Sequence, residues 1–353
     1  MTIGLCFGRY APFCKGHLDL IMRAKKECDL CFVICMGSSS NDGHFIMPFR
    51  ERVAYMRECF ADSPEVRVLA LDDDELYPEL PLTEKGWQLW TAAAEQLVFS
   101  DPAVPSDALF RWYVRDPAWK DALMRVSTTA DPVKAMLEEG RFEIRIAESK
   151  GSPEPVLPWK PGCYEGPVRR VLITGTASEG KSTLARDIAL YFGLPYVPEE
   201  ARNYMQEMHV ADPDLTTEDF LQFVRRQNAS IDRAQERVAI VDTDNITTLA
   251  YAMEYAADPD IKAIDEASVE AVRSEVRTSG WDRIFLLAPR NRYVDDGFRY
   301  MKQADMTSRQ QGFDLLLRLF EEYGLADKVE ILRGDYYSNF LRVKDVVAEL
   351  LAQ

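Results

Sequence analysis

The stretch Gly175–Ser182, GTASEGKS, decides the fold of the second half of this chain. It fits the pattern G-x-x-x-x-G-K-S/T of a phosphate-binding loop, and it stands between a predicted strand and a predicted helix, as the motif requires. The glycines let the backbone curl so that successive N–H groups point at phosphate oxygens, and the N-terminus of the following helix adds positive potential. The sequence therefore predicts a site for a nucleoside triphosphate. Its expected ATP-binding residues are Gly175, Ser178, Gly180, Lys181, Ser182 and Thr183.

The catalytic and metal-binding parts of this site come from two short motifs. Lys181 is expected to reach the terminal phosphates, and the hydroxyl of Ser182 is expected to be a ligand of Mg²⁺. Further along, IVDTD at 240–244 ends an apolar run with an acidic residue, which is how such sites supply a carboxylate for Mg²⁺ beside ATP. Asp242 is the better candidate because it follows the apolar run directly, and Asp244 is the second. Asp244 could instead only cap the next helix.

Strand and helix patterns alternate on both sides of the loop. Val171–Ile173 is predicted as a strand and Lys181–Phe192 as a helix with apolar spacing. This alternation favours a parallel sheet covered by helices. Further helices are predicted at about Thr217–Glu236, Asp265–Ser279, Ser308–Tyr323 and Val343–Ala352, and further strands at Val238–Asp242, Arg283–Leu287 and Val329–Leu332.

A second strand–helix–strand unit opens the chain. Ile3–Phe7 is an apolar strand, a turn with three glycine or proline residues follows, and a helical pattern runs from about His17 to Cys28 before a second strand at Leu30–Met36. This order predicts a βαβ unit with its loop at the carboxyl end of the first strand. The segment 75–125 has a mostly helical pattern.

Length and composition predict two domains and exclude several classes of protein. The 353 residues exceed one ordinary domain, and the Pro- and Gly-rich stretch SKGSPEPVLPWKPGCYEGP (149–167) reads as a linker. We expect domains at 1–150 and 168–353, joined at 151–167. A formal net charge of −16 argues against nucleic acid as a partner. With no long apolar run and no secretory signal, a cytoplasmic protein is expected.

The chain contains seven cysteines, most of them near its start. Cys28, Cys31 and Cys35 could suggest a metal site. However, two of them fall within a strand-like apolar run, and no second Cys/His pair follows at a suitable spacing. Packed, reduced thiols are therefore the preferred interpretation.

The turn after the first strand carries the motif FGRYAPFCKGHLDLI at 7–21. A histidine at a helix N-terminus can bind a phosphate there. The motif resembles that of the nucleotidyltransferase superfamily, which has H-x-G-H at this turn. Gly16 and His17 match the pattern, but Cys14 stands in place of the first histidine, and a thiol is only a weak donor. The alternative is that His17 merely begins a helix.

Basic residues in YVDDGFRYMKQADMTSRQQGF suggest a mobile lid over the triphosphate. Lid arginines neutralise the charge that develops on a transferred phosphoryl group. The candidates are Arg299, Lys302 and Arg309, with Arg299 and Arg309 expected to bind ATP. The alternative is a solvated basic face of a helix.

These motifs, in this order, resemble the NadR-type bifunctional proteins of NAD salvage, which join a nicotinamide mononucleotide adenylyltransferase to a ribosylnicotinamide kinase. The similarity covers most of the chain. It rests on FGRYAPF–KGHLDLI, PFRERVAYMRECF, DDD at 72–74, GWQLW, GTASEGKST, VPEEAR, VDTDNITTLAYA, DDGFR and GDYYSNF. The resemblance implies an α/β protein with an N-terminal Rossmann-like nucleotidyltransferase domain and a C-terminal P-loop kinase domain with a parallel sheet.

The resemblance also implies roles for particular residues. In the first domain His17 would be catalytic, and Trp87 or Trp90 could stack on the nicotinamide ring, unless both pack in a core. In the kinase Asp242 or Glu199 would take the proton from the 5′-hydroxyl of the riboside. ATP would contact Phe7, Gly8, Arg9, Gly16 and His17 in the first domain, and the riboside would contact Glu199, Arg202, Asp242 and Asp244 in the second.

Two departures from the family leave alternatives open. Cys14 is the first. The second is that the later motif I-S-x-T-x-I-R is degraded to VSTTADPVK at 126–134, with Ser127, Thr129 and Lys134 as its remnants. The first domain could therefore be a degenerate binding module beside a working kinase. A P-loop regulator is a third possibility, without a guanine-binding NKxD motif in its favour. The family's helix-turn-helix domain is absent, so DNA regulation is not expected, and homo-oligomerisation is left open.

Overall fold

The structure, a computed structural model, has two compact units, Met1–Leu157 and Pro158–Gln353. It describes residues 1–39, 48–72, 74, 84–115, 117–127, 136, 138–147, 155–156, 166–278, 280–291, 293 and 304–352. Six candidate or motif-remnant residues fall outside this description, wholly or by their side chains. They are Trp87, Ser127, Thr129, Lys134, Arg299 and Lys302. Among the described residues, no helix is both long and apolar enough to cross a membrane.

The first unit is a five-stranded parallel sheet in the order β3-β2-β1-β4-β5. The chain passes from β1 to β2 on one side and later reaches β4 on the other. A crevice is therefore expected at the carboxyl end of β1, where loops diverge. The strands are β1 Thr2–Gly8, β2 Leu30–Gly37, β3 Val66–Asp72, β4 Leu109–Val114 and β5 Phe142–Ile146, and the helices are α1 Lys15–Glu27, α2 Phe49–Cys59, α3 Glu84–Phe99 and α4 Pro117–Ser127.

The second unit is also a five-stranded parallel sheet, in the order β10-β9-β6-β8-β7. Its central strand, β6, leads into GTASEGKS, so the loop lies where the chain switches sides. The strands are β6 Arg169–Gly175, β7 Tyr196–Val197, β8 Val238–Asp242, β9 Trp281–Leu287 and β10 Val329–Leu332. The helices are α5 Lys181–Phe192, α6 Glu200–Met208, α7 Thr217–Arg233, α8 Asn245–Ala257, α9 Glu266–Glu275, α10 Met306–Glu322 and α11 Tyr336–Ala352, with 3-10 turns at Asp212–Asp214 and Ala326–Lys328.

Each unit has its own core of apolar side chains on both faces of its sheet. In β6 and β8, Leu172, Ile173, Ile240 and Val241 are fully buried. Continuous apolar runs of this kind are typical of parallel strands covered by helices on both faces. The predicted fold class, two α/β domains with parallel sheets, is confirmed.

Some element boundaries differ from the predictions. The middle segment was expected to be mostly helical, but it contains the strand Leu109–Val114 between two helices. LFRWYV lacks the clean alternation of a half-buried strand because several consecutive side chains are buried. The last helix begins at Tyr336 rather than at Val343, and the helix predicted at Asp265–Ser279 ends at Glu275.

Candidate nucleotide sites

The loop after β6 has the backbone conformation that the motif requires. Gly175 has a φ of 145°, and a Cβ atom there would stand 2.8 Å from the carbonyl oxygen of Leu287. Only glycine fits this close approach to the neighbouring strand β9. Ser178 and Gly180 also have positive φ values, 63° and 85°, and Gly180 caps the N-terminus of α5. The tight turn therefore leads directly into α5, so that the N-terminus of the helix lies at the loop.

Lys181 and Ser182 begin α5 at the mouth of this loop. The Lys181 side chain is buried within the loop, where its Nζ donates a hydrogen bond of 3.0 Å to the carbonyl of Thr176. Ser182 hydrogen-bonds the carboxylate of Asp242. The structure therefore brings the predicted lysine, hydroxyl and carboxylate to one place.

Asp242 is the last residue of β8 and is fully buried. Its Oδ2 accepts a hydrogen bond of 3.1 Å from the hydroxyl of Tyr196. Burial and the neighbouring charge of Glu199 raise the pKa of Asp242 to about 6, against the lowering effects of Lys181, Ser182 and Tyr196. Asp242 and Glu199, the two candidate bases, thus lie within electrostatic reach of each other and of the loop lysine.

Ser182 and Asp242 form the donor set expected for Mg²⁺ beside a nucleotide. A hydroxyl and a carboxylate are hard oxygen ligands, and Mg²⁺ at such sites takes one or two protein ligands while water and phosphate oxygens supply the rest. In the part of the chain that the structure describes, no three His, Cys, Asp or Glu residues gather as an all-protein metal site. The pair therefore fits an ion that is shared with a nucleotide.

Asp244 is a helix cap in this structure. Its Oδ1 accepts hydrogen bonds from the backbone N–H of Thr247, at 3.0 Å, and from the Thr247 hydroxyl, at 2.8 Å. Burial raises the pKa of Asp244 to about 6. These bonds match the capping alternative.

Glu199 and Arg202 lie at the start of α6. Glu199 occupies the N-cap position, and the Nε of Arg202 stands 3.9 Å from its Oε2. Gln227 on α7 joins this segment to β8: its Oε1 accepts from the N–H of Glu200, and its Nε2 donates to the carbonyl of Thr243 at 3.2 Å. Sequence reasoning missed Gln227, although a glutamine on the apolar face of an amphipathic helix was a usable signal.

The side chain of Arg309 is buried, whereas a residue on a mobile lid would be exposed. It forms an ion pair with Glu179 of the loop, and its Nη1 donates a hydrogen bond of 2.6 Å to the carbonyl of Asn291. Glu179 also accepts from the backbone N–H groups of Arg290, at 3.0 Å, and Asn291, at 3.1 Å. The alternative of a solvated basic face is wrong for Arg309, since its side chain is only 3% exposed.

In the first unit, the carboxyl end of β1 is anchored by an arginine from α2. Arg52 is 1% exposed, and its Nη1 donates hydrogen bonds to the carbonyls of Arg9 and Met36. The side chain of Phe7 packs in the core, 4.9 Å from Trp112 between ring centroids. The ring of Phe7 is therefore part of the core.

His17 lies in the first turn of α1, held by Cys14 at the N-cap. The backbone N–H of Cys14 donates to Nδ1 of His17 at 3.2 Å, and the Cys14 sulfur lies 3.0 Å from the same nitrogen. A backbone N–H can only donate, so Nδ1 is an acceptor and the ring proton is on Nε2. Burial and the charge of Arg115 lower the pKa of His17 to about 4. His17 is therefore a neutral imidazole that presents an Nε2–H donor.

Arg115 is a second basic group at this crevice, and sequence reasoning missed it. It is exposed, and it directly follows β4, the strand beside β1. Burial raises the pKa of Tyr10 well above its ordinary value, and the charge of Arg115 opposes this rise. Only the pairing of β4 with β1, which was not predicted, places Arg115 near His17.

Trp90 packs in the core of the first unit. It is 3% exposed, and its ring meets that of Phe7 edge-on at 6.1 Å. This environment matches the core alternative for Trp90.

The described cysteines are free thiols, and burial raises the pKa of Cys28 to about 11.

Comparison with known families divides the chain in the same way. A family model described as an AAA domain matches residues 170–338, and a model described as cytidylyltransferase-like matches residues 5–139. The trifunctional NAD biosynthesis/regulator protein NadR of Escherichia coli (strain K12) is 24% identical over 371 residues, which cover 100% of this chain and 84% of that protein. The protein of the same name from Salmonella typhimurium (strain LT2) is 24% identical over 374 residues, with the same coverage.

Two solved structures are also similar to this chain. A crystal structure of NadR protein in complex with NR aligns with a TM-score of 0.43 and 24% identity over 100% of this chain and 96% of that one. A crystal structure of NadR protein in complex with NAD and AMP-PNP aligns with a TM-score of 0.40 and 22% identity, over 98% of this chain and 95% of that one.

Proposed function

We propose that this chain, a NadR-type protein, is an NAD-salvage enzyme with two activities. The second unit phosphorylates nicotinamide riboside with ATP, and the first unit transfers an adenylyl group from ATP to the resulting mononucleotide. The observation that carries the proposal is the convergence of Lys181, Ser182, Asp242 and Glu199 at the loop after β6. The similarity of the whole chain to two NAD biosynthesis/regulator proteins supports the choice of riboside.

In the kinase reaction the 5′-hydroxyl oxygen of the riboside attacks the γ-phosphorus of ATP, and the bond from that phosphorus to ADP breaks. The hydroxyl proton passes to Asp242 or Glu199. Burial and the charge of Glu199 raise the pKa of Asp242 to about 6 when no metal ion is bound. Lys181 neutralises charge on the transferred group, and Arg202 is proposed to hold the riboside. Transfer needs mainly positioning and charge neutralisation, so a strong base is unnecessary.

The kinase proposal also includes a magnesium ion and the bounds of the domains. Ser182 and Asp242 would hold Mg²⁺, and the ion would supply positive charge beside the transferred phosphoryl group. We retain the transferase domain at 1–150, the linker at 151–167 and the kinase domain at 168–353 as proposed bounds.

Free thiols among the described cysteines are typical of a reducing compartment and support a cytoplasmic location.

In the adenylyl transfer a phosphate oxygen of nicotinamide mononucleotide attacks the α-phosphorus of ATP, and pyrophosphate leaves. We assign the Nε2–H of His17 as a hydrogen-bond donor to the ATP phosphates, because the N–H of Cys14 holds the opposite ring nitrogen. Arg9, in the turn after β1, and Arg115, directly after β4, would supply positive charge. The exposed guanidinium of Arg115 is a candidate to replace the degraded second phosphate-binding motif.

Product analysis of two variants tests both assignments. With ATP, Mg²⁺ and nicotinamide riboside, the wild-type protein should form NAD through the mononucleotide. Lys181→Ala should lower riboside phosphorylation by at least about a hundredfold and leave adenylyl transfer to added mononucleotide intact, and His17→Ala should do the reverse. Unchanged phosphorylation by Lys181→Ala would refute the kinase site. A product that stops at the mononucleotide would mean that the first unit is degenerate, and no product would refute the proposal.

A further inference from the structure

A cavity of about 600 Å³ adjoins the phosphate-binding loop of the second unit. Thr176 and Ala177 of the loop form one wall, and residues of α8 and α10 form the others. Pockets of about 300–1,000 Å³ commonly hold small ligands. The cavity therefore has the size of a nucleoside site, and it adjoins the loop proposed to bind the phosphates of ATP.

Tyr251 connects this cavity with the groups proposed for phosphoryl transfer. Its side chain lines the cavity. Burial raises its pKa well above the ordinary value, and the charges of Glu254 and Glu199 raise it further. Glu199 acts in the same way on Asp242. The charge of Glu199 thus affects both Asp242 and Tyr251, so the cavity lies within electrostatic range of the groups proposed for phosphoryl transfer.

Glu254, on α8, places a carboxyl group in the wall of this cavity. Gly312 on α10 leaves room for it, because a Cβ atom at Gly312 would stand 2.5 Å from Oε1 of Glu254. Burial raises the pKa of Glu254 to about 7, so a bound cation would favour its ionised form. The other charged residues that line the cavity are Asp258, Arg318 and Arg309, and Arg309 is paired with Glu179.

We propose that this cavity holds the base of the riboside and that Glu254 makes the kinase prefer a cationic nicotinamide ring to a nicotinate ring. The inference rests on the proposed kinase function and names a determinant of its specificity. Nicotinamide riboside carries a permanent positive charge on its glycosylated ring nitrogen. Nicotinic acid riboside carries the same charge and adds a carboxylate, so its net charge is zero and its carboxylate would face Glu254.

The two ribosides therefore respond differently when the charge of Glu254 is removed. Glu254→Gln keeps the size of the side chain and removes its attraction for the ring cation, so the KM for nicotinamide riboside should rise about tenfold while kcat changes little. For nicotinic acid riboside, lost attraction and lost repulsion offset each other. The ratio of the two kcat/KM values should consequently fall by about tenfold.

Three variants and both ribosides test this inference. Wild-type protein and Glu254→Asp, which keeps the charge, should prefer nicotinamide riboside. Glu254→Gln should lose the preference. Asp260→Asn is the matched control: it removes one negative charge from an exposed residue near the end of α8, and it should change neither KM. Steady-state rates with each riboside at saturating ATP, at pH 8, provide the measurement.

The outcomes separate this inference from the proposed function. An unchanged ratio of kcat/KM values in Glu254→Gln would overturn the role of Glu254 while leaving the kinase intact. A rise in the KM for ATP instead of riboside would also overturn it, because the cavity would then hold adenine. If wild-type protein phosphorylated neither riboside, the kinase function itself would fail.

Discussion

The buried ion pair between Glu179 and Arg309 provides the sharpest prediction for the second unit. Glu179 belongs to the phosphate-binding loop, and Arg309 lies in the first turn of α10. The side chains are 1% and 3% exposed, so neither charge is solvated. We expect Glu179→Gln and Arg309→Met each to destabilise the second unit strongly. The double variant should lose less stability than either single variant.

The magnitude follows from what each change leaves behind. Glu179→Gln leaves the Arg309 guanidinium buried without its counter-charge, which costs about 3–5 kcal/mol. Arg309→Met leaves a carboxylate that still accepts from the N–H groups of Arg290 and Asn291, so its cost should be lower, about 2–3 kcal/mol. In the double variant neither charge remains, and the loss should be about 1–2 kcal/mol.

Hydrogen exchange measured by mass spectrometry along a urea series can read each unit separately. Peptides from β6 and β8 report on the second unit, and peptides from β1 and β2 serve as the internal control in the same sample. The variants should shift only the second set. Additive losses in the double variant would refute the reasoning, because they would show that Glu179 and Arg309 contribute independently.

Two further predictions concern the first unit. Cys14→His should raise kcat/KM for adenylyl transfer by about tenfold if the thiol has cost a phosphate donor, as measured by NAD formation from added mononucleotide; no gain would mean that the crevice works with the thiol. Burial raises the pKa of Glu95 from 4.5 to about 8, so the folded unit holds an extra proton and loses stability as pH rises between these values. Glu95→Gln should remove this loss, so its free energy of unfolding should exceed that of the wild-type protein by about 2–4 kcal/mol at pH 8.5. Urea denaturation followed by tryptophan fluorescence measures this difference. An equal pH dependence of the two proteins would contradict the prediction.

The parts of the fold that were predicted well have strong local signals. The helix Lys181–Phe192 begins and ends where it was predicted, since Gly180 and Gly193 flank it in the left-handed conformation. The strand Val238–Asp242 was also predicted at its observed bounds, because a short apolar run ends abruptly in a carboxylate. In both cases the deciding residues are neighbours in sequence.

The parts that were not predicted depend on contacts between distant segments. Glu179 and Arg309 each look like an ordinary charged residue in sequence, and only the packing of α10 beside the loop makes them partners. Arg115 likewise acquires its place beside His17 from the pairing of β4 with β1. Local patterns cannot reveal such charges, because their environment is supplied by residues far along the chain.

The environment of His17 changes what the cysteine at position 14 implies for the first unit. Of the two contacts that Cys14 makes with Nδ1 of the imidazole, the hydrogen bond from the backbone N–H does not depend on the side chain at that position. Replacing the first histidine of the motif by cysteine therefore removes one phosphate donor but keeps His17 oriented and neutral. Arg115 adds a positive charge nearby. A weakened transferase, rather than a lost one, is what this arrangement favours.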